Sequence, residues 1–371
     1  MNMKFKFSFA IFILFYTIAG YSQILEGKII DEVSKTPLQG ATVYFDGTTI
    51  VAITDSEGNF KINGRKSQST MIVTYVGYVT YRMENPEQYE NKKLRIQLTP
   101  EETTLEEVFI GKGPFTRKQM LAAFRMHFLG QSKSAQSCKI QNEDDLVLFF
   151  DVTNNTLSVT ARNPIKVTNK HLQYELNFDL IDFNVQHKSK TLDPHFVVSN
   201  SFSGTTFFKD ISGKEKINQK RLKVFLGSAP HLMHSIANET LDAEGFHIYV
   251  DSFRVNPKDY FQVSDTLTLK KIKLIKEIPQ EQKTIVLKSK ITANKNGTIK
   301  SSNFDKKFIN ILYKKELQSI MDFVEKEIIV DEDGNYAPIY GVLFGGYIGT
   351  LKAGDMLPKD FYKTVKSKPN D

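Results

Sequence analysis

Between Gly27 and Tyr78 the chain is cut by turn residues into short runs that alternate apolar and polar positions. Gly27-Lys28-Ile29-Ile30-Asp31 leads to Pro37-Leu38-Gln39-Gly40-Ala41-Thr42-Val43. Gly47-Thr48-Thr49, Thr54-Asp55-Ser56-Glu57-Gly58-Asn59-Phe60 and Val73-Thr74-Tyr75-Val76-Gly77-Tyr78 follow. Short alternating strands separated by Gly, Pro and Asp turns describe a small β-sandwich filling residues 23–99. The expected strands are 25–31, 42–45, 50–55, 59–62, 71–76 and 94–98. Asp46-Gly47 and Glu57-Gly58-Asn59 carry the turn chemistry, with Gly supplying positive φ and Asp or Asn bonding its own backbone. Asp55, Glu57 and Asn59 lack the ligand spacing of a calcium loop, so a hairpin turn is the reading there.

These residues resemble the carboxypeptidase regulatory-like domain found at the N-termini of many Bacteroidetes envelope proteins. The resemblance implies an all-β sandwich of the transthyretin (prealbumin) type and a place in the cell envelope. It implies no chemistry.

Residues 1–22 read as a signal peptide. Lys4 and Lys6 form a positive start, 9–18 is an apolar core too short for a bilayer span, and Gly20-Tyr21-Ser22 offers small residues before Gln23. With no Cys near the cut, no lipoprotein anchor is expected. The 371 residues less these 22 leave 349, enough for two domains. Removing Lys4 and Lys6 takes Lys+Arg from 49 to 47 against 42 Asp+Glu, a net charge of +5. That mild, dispersed excess suits a neighbourhood of anionic lipid or glycan and gives no basis for nucleic-acid binding. No later segment reaches the ~20 apolar residues of a membrane helix. Cys138, the only cysteine, precludes an internal disulfide. It reads more simply as a small buried hydrophobe than as a nucleophile beside Lys139.

Residues 100–114 read as a linker. In the outer-membrane receptors that carry the same domain, a stretch similar to Leu105-Glu106-Glu107-Val108 leads into a plug. A plug and a large barrel do not fit into what remains here. Residues 115–365 instead suggest an α+β domain rich in antiparallel strands, with 366–371 a frayed tail. Met120, Leu121, Phe124 and Phe128 fall at helical spacing within 117–129. A second helix is expected over 230–242, with Leu232, Met233, Ile236, Ala237 and Leu241 as its stripe, Pro230 in its first turn and Ser228 as its cap. Strands are expected at 146–151, 156–161, 174–180, 246–250, 271–275, 284–287, 291–293 and 321–330, with a hairpin turn at Asn296-Gly297.

A second set of residues runs from Phe128-Leu129-Gly130, Ser132, Ala135 and Cys138-Lys139-Ile140 through Gly204-Thr205-Thr206-Phe207-Phe208, Arg221 and Gly227-Ser228. It continues with His231, Glu244-Gly245-Phe246, Gly345-Gly346-Tyr347 and Asp355-Met356-Leu357-Pro358-Lys359-Asp360-Phe361. These are similar to the C-terminal region of a flavobacterial group of proteins bearing the same N-terminal domain, whose biochemical role the resemblance leaves unassigned. The group usually carries Arg where this chain has His234, and Trp where it has Ile348.

A zinc carboxypeptidase needs a His-x-x-Glu pair and a distant His. None of the seven histidines, at 127, 171, 187, 195, 231, 234 and 247, has Glu three residues on. Gly-x-Ser-x-Gly, phosphate loops and dinucleotide fingerprints are missing as well. His231 and His234 lie three apart on the second helix, so they share a face, with Glu239 nearby. They read as metal ligands or, with better support, as helix–sheet or anion contacts. Gly227-Ser228 is an anion seat or, more simply, a cap. Tyr336, Tyr340, Phe344 and Tyr347 lie in a Gly-rich stretch where side chains are expected to be exposed.

The expectation is a non-catalytic exported protein, periplasmic, outer-membrane associated or extracellular. Its binding residues would be drawn from Ser228, His231, His234, Tyr336, Tyr340 and Tyr347. Its partner would be a glycan, a peptide or an outer-membrane protein, with no cofactor or metal. The alternative is a hydrolase with an unrecognised site in the C-terminal domain, centred on His231, His234 and the Gly-rich C-terminal loops. A third reading, an accessory subunit of a receptor barrel, calls for an exposed sandwich edge strand.

Overall fold

A computed structural model describes residues 23–64, 70–89, 92–101, 113–213, 216–266, 269–276 and 308–362. The expected signal peptide, most of the expected linker, the strands at 284–287 and 291–293, the Asn296-Gly297 turn and the 366–371 tail lie outside the described residues. The described chain is mostly β-sheet, with five α-helices.

The sandwich strands are β1 (Gln23–Asp31), β2 (Thr42–Phe45), β3 (Val51–Ile53), β4 (Asn59–Gly64), β5 (Met71–Thr74), β6 (Tyr81–Met83) and β7 (Lys93–Leu98). One sheet has the order β4-β1-β7, with β7 parallel to β1, and the other the order β3-β2-β5-β6. The apolar alternation seen in sequence is the core. Leu25, Ile29, Val43, Phe45, Phe60, Ile62, Met71, Val73, Ile96 and Leu98 pack in one cluster. Asp55 accepts from the Glu57 and Asn59 N–H groups at 2.9 and 2.8 Å, so its carboxylate is occupied in closing a turn.

Helix α1 (Arg117–Leu129) and the short α2 (Lys133–Gln136) come next. They are followed by β8 (Cys138–Ile140), β9 (Leu146–Asp151), β10 (Thr156–Ala161), β11 (Ile165–Asn169), β12 (Tyr174–His187) and β13 (Val197–Asp210). The antiparallel sheet runs β8-β11-β12-β10-β9, with β13 paired along β12. Strand β13 was not expected. Its Ser- and Asn-rich first half hides the alternation, and pairing rather than hydropathy fixes it.

The remaining elements are α3 (Ile217–Phe225), α4 (Ala229–Ala237), β14 (Phe246–Val250), β15 (Phe253–Arg254), β16 (Phe261–Thr266), β17 (Leu269–Leu274), β18 (Ile309–Tyr313), β19 (Leu317–Phe323), β20 (Glu327–Val330), β21 (Tyr336–Ala337), β22 (Val342–Gly345) and α5 (Gly346–Thr350). The single strand expected over 321–330 is two strands, β19 ending at Phe323 and β20 beginning at Glu327, because the polar Glu325-Lys326 breaks the run. Helix α3 was also unexpected. Its buried stripe is Ile217, Arg221 and Phe225, and the central Arg interrupts the apolar period.

Packing divides the chain into two compact units. The first contains the described residues up to His127 and Cys138–Gly213. The second contains Phe128–Ser137 and the described residues from 216 onward. The sandwich belongs with β8–β13 because the turn after β2 bonds to β13. Gly47 N–H donates to the Thr206 carbonyl at 2.6 Å, Phe208 N–H to the Thr48 carbonyl at 2.9 Å, and Thr206 N–H to Asp46 Oδ1 at 2.7 Å. Tyr44 adds a hydroxyl contact to Thr205 at 3.1 Å and a ring contact to Phe207 at 4.8 Å. In the second unit, the sheets β15-β14-β18-β19-β22 and β16-β17-β20-β21 share one core with α4.

Candidate functional site

Five of the six candidate binding residues sit on or beside the core of the second unit. Helix α4 begins at Ser228, whose Oγ accepts from the His231 N–H at 3.4 Å, so Ser228 acts as a cap. Leu232, Met233, Ile236 and Ala237 are buried, and this apolar stripe turns His231 inward as well.

His231 is 1% exposed. Gly227 N–H donates to its Nδ1 at 3.0 Å, which places the ring proton on Nε2, 3.3 Å from Glu244 Oε2. The ring packs between Phe225, Phe246 and Tyr313 at 5.3, 4.9 and 5.7 Å. Burial lowers its pKa, against the opposing pull of Glu244, so the ring is neutral near pH 7. His231 therefore holds the loop before α4 to the start of β14 and lies out of a substrate's reach.

His234 has different partners. Its Nδ1 lies 2.9 Å from the Glu332 carbonyl, and its ring meets Tyr362 at 4.8 Å. The two histidines were expected to share a helix face and do not converge. The sheet takes one, and the turn after β20 takes the other. Among the described residues no group of three His, Cys, Asp or Glu side chains comes together as a metal-binding set. The acidic stretch 331–335 is likewise a closed turn. Asp331 Oδ1 accepts from the Asp333 and Asn335 N–H groups, both at 2.9 Å, and its pKa is raised by burial.

The aromatic stretch divides in two. Tyr336 and Tyr347 are half-buried and pack against the core, and burial pushes the Tyr336 phenol up to about 12. Pairing of β21 with β20, and the seating of α5 against β19, draw these rings inward. Tyr340 remains outside, 58% exposed, beside Ile339 at 61%. Val324 and Leu343 are also exposed and border the same turn. Val324 N–H donates to the Gly341 carbonyl at 2.9 Å, and Leu343 pairs with Asp322 on the edge strand β22. Sequence reasoning missed three of these four side chains. Scattered through sequence, they carry no periodic signal, and only the fold brings the end of β19 beside the turn that leads into β22.

Residues 25–110 match the family model of the CarboxypepD_reg-like domain. The chain carries this domain at its N-terminal side. The match covers the two-sheet sandwich and leaves β8–β22 outside the CarboxypepD_reg-like domain. No curated protein matches the chain. Similar solved structures include an N-terminal and a C-terminal interface mutant of a type II cohesin–X-dockerin complex from Acetivibrio cellulolyticus. Their identities are 28% and 27%, each covers 21% of this chain, and the TM-scores are 0.19 and 0.16. A 9R-lipoxygenase from Cyanothece PCC8801 aligns over 60% of this chain at 11% identity and a TM-score of 0.18. The chain spans 58%, 51% and 48% of these three chains. At such TM-scores the likeness assigns neither fold nor activity beyond the CarboxypepD_reg-like domain. Among the described residues no helix is long and apolar enough to cross a membrane.

Proposed function

We propose that this chain is a non-catalytic, exported cell-envelope protein that binds a glycan, a peptide or an outer-membrane protein through its second unit. The sandwich is read as a transthyretin-type module of the kind common in Bacteroidetes envelope proteins, and the chain after it as α+β. The observation that carries the binding role is the exposed apolar group Val324, Ile339, Tyr340 and Leu343 around one turn at a sheet edge. Large apolar side chains left exposed near one another mark candidate interaction surfaces. A hydrolase centred on His231 gains no support, because that imidazole is sealed and bonded on both nitrogens.

Affinity capture from crosslinked native envelope tests the reading. A tagged wild-type chain should retain a specific outer-membrane protein, peptide or polysaccharide, identified by mass spectrometry. A chain carrying Tyr340→Ser and Leu343→Ser should lose it. Equal capture by both chains would overturn the assignment to this surface.

A further inference from the structure

The sandwich has its edge strands at β4 and β7 in one sheet and at β3 and β6 in the other. A sheet edge presents unpaired backbone groups, and proteins guard such edges with charged side chains. Strand β4 carries Lys61, β7 carries Lys93 and Arg95, and β6 carries Arg82. Strand β3 has no such guard. From Ile50 to Thr54 the sequence is Ile-Val-Ala-Ile-Thr, without charge, proline or glycine. Val51 is 42% exposed and Ile53 68%.

The ladder fixes which backbone groups of β3 are open. Phe45 N–H donates to the Ile50 carbonyl at 3.2 Å, and Thr54 N–H to the Ala41 carbonyl at 2.9 Å. Val43 and Ala52 stand opposite each other between these contacts. Along an antiparallel strand, successive residues turn their N–H and C=O groups toward one neighbour and then the other. Ile50, Ala52 and Thr54 therefore face β2, while Val51 and Ile53 turn theirs outward. The next ladder agrees. Asp46 N–H donates to the Thr70 carbonyl at 2.9 Å, so Tyr44 and Thr42, which stand opposite Val51 and Ile53, give their own groups to β5. Among the described residues, no strand other than β2 pairs with β3.

These outward groups are self-complementary. A two-fold axis through Ala52 sets Val51 of one copy opposite Ile53 of the other, and Ile53 opposite Val51. Each pair then exchanges both of its N–H and C=O groups, about four hydrogen bonds in all. The exposed Val and Ile side chains become cross-strand β-branched neighbours on one face. Charge favours this occupant as well. A charged edge meets its own charge across such an axis and is repelled, whereas β3 brings none. The contact is isologous, so it closes with the second copy, and the charged edges stop further growth. We propose that β3 is a pairing edge for a second copy of this chain, which joins the two β3-β2-β5-β6 sheets into one. The contact is short, so the dimer belongs to the weak, transient class.

Sedimentation velocity across a concentration series tests the pairing. It uses the whole chain without its expected signal peptide, under reducing conditions so that Cys138 forms no disulfide between copies. The wild-type chain should shift toward dimer as concentration rises. Val51→Glu and Ile53→Lys should each weaken association by at least about tenfold. Circular dichroism checks the fold of both variants. Mixing the two should restore association, because the introduced carboxylate then faces the introduced ammonium across the axis. Tyr340→Ser should leave association unchanged, which separates this edge from the surface of the second unit. A wild-type chain that stays monomeric at every concentration would overturn the proposal and leave the edge to a strand of another protein. A dimer indifferent to both edge variants, or variants that fail to associate when mixed, would overturn it too.

Discussion

The Ser132 hydroxyl donates to Asp355 Oδ1 at 2.5 Å, joining positions 223 residues apart. Ser134 reinforces the contact by donating to the Gly354 carbonyl at 2.6 Å. A ten-residue stretch, Phe128–Ser137, thereby packs into the second unit although the chain on either side of it belongs to the first.

Asp355 Oδ2 is buried without a partner, and burial raises the pKa of this carboxyl against the opposing effect of Ser132. A carboxyl whose folded pKa lies above its unfolded value favours the folded state at low pH. That advantage is lost as pH rises through the folded pKa. Asp355→Asn should therefore flatten the decline in stability between about pH 4 and neutrality. Ser132→Ala should destabilise by about 1–3 kcal/mol at neutral pH, where the charged form needs its donor. Urea unfolding across this range measures both, and an unchanged pH slope in the Asn variant would exclude Asp355 as its source.

The His231 linkage has the opposite sign. Its folded pKa is lowered from 6.5 by burial, so the folded state binds fewer protons there than the unfolded state. Its contribution is present above about pH 6.5 and is lost as pH falls below that value. His231→Phe should keep the packing against Phe246 and Tyr313 but strand the Gly227 N–H. The expected cost is about 1–3 kcal/mol at pH 8, with a shallower acid limb in thermal unfolding.

Gly334 closes the turn that meets α4 with φ +87°, and a Cβ there would fall on the Pro230 carbonyl and crowd His234. Gly334→Ala should cost at least about 1–3 kcal/mol from backbone strain and steric conflict together. Chemical denaturation should show the loss, and a neutral result would mean the turn can move off the helix freely.

Substitutions at the exposed turn should separate binding from folding. Tyr340→Ser and Leu343→Ser should each leave stability within about 0.5 kcal/mol of the parent while reducing partner capture. A large drop in Tm would instead make these side chains part of the fold.

Helix α1 was legible in the sequence at its observed bounds because its apolar residues recur at helical spacing. Helix α3 was not, because Arg221 occupies the middle of its buried stripe. The candidate residues divide similarly. Ser228 before Pro230 announces a cap, since capping involves neighbours in sequence. The separate fates of His231 and His234 depend on Glu244 and Glu332, which no spacing rule connects to them.

From the sequence alone came the division of the sandwich into strands and turns, the N-terminal domain type and the start of α4. These follow from period-two alternation, positive-φ glycines and side-chain-to-backbone bonds, all local in range. Tertiary structure alone decided that Asp46 would bond to Thr206, that His127 and His187 would be buried together, and that Ser132 would meet Asp355. Such meetings arise when sheets and helices bury their apolar faces, and the polar groups carried along then find whatever partners that packing supplies.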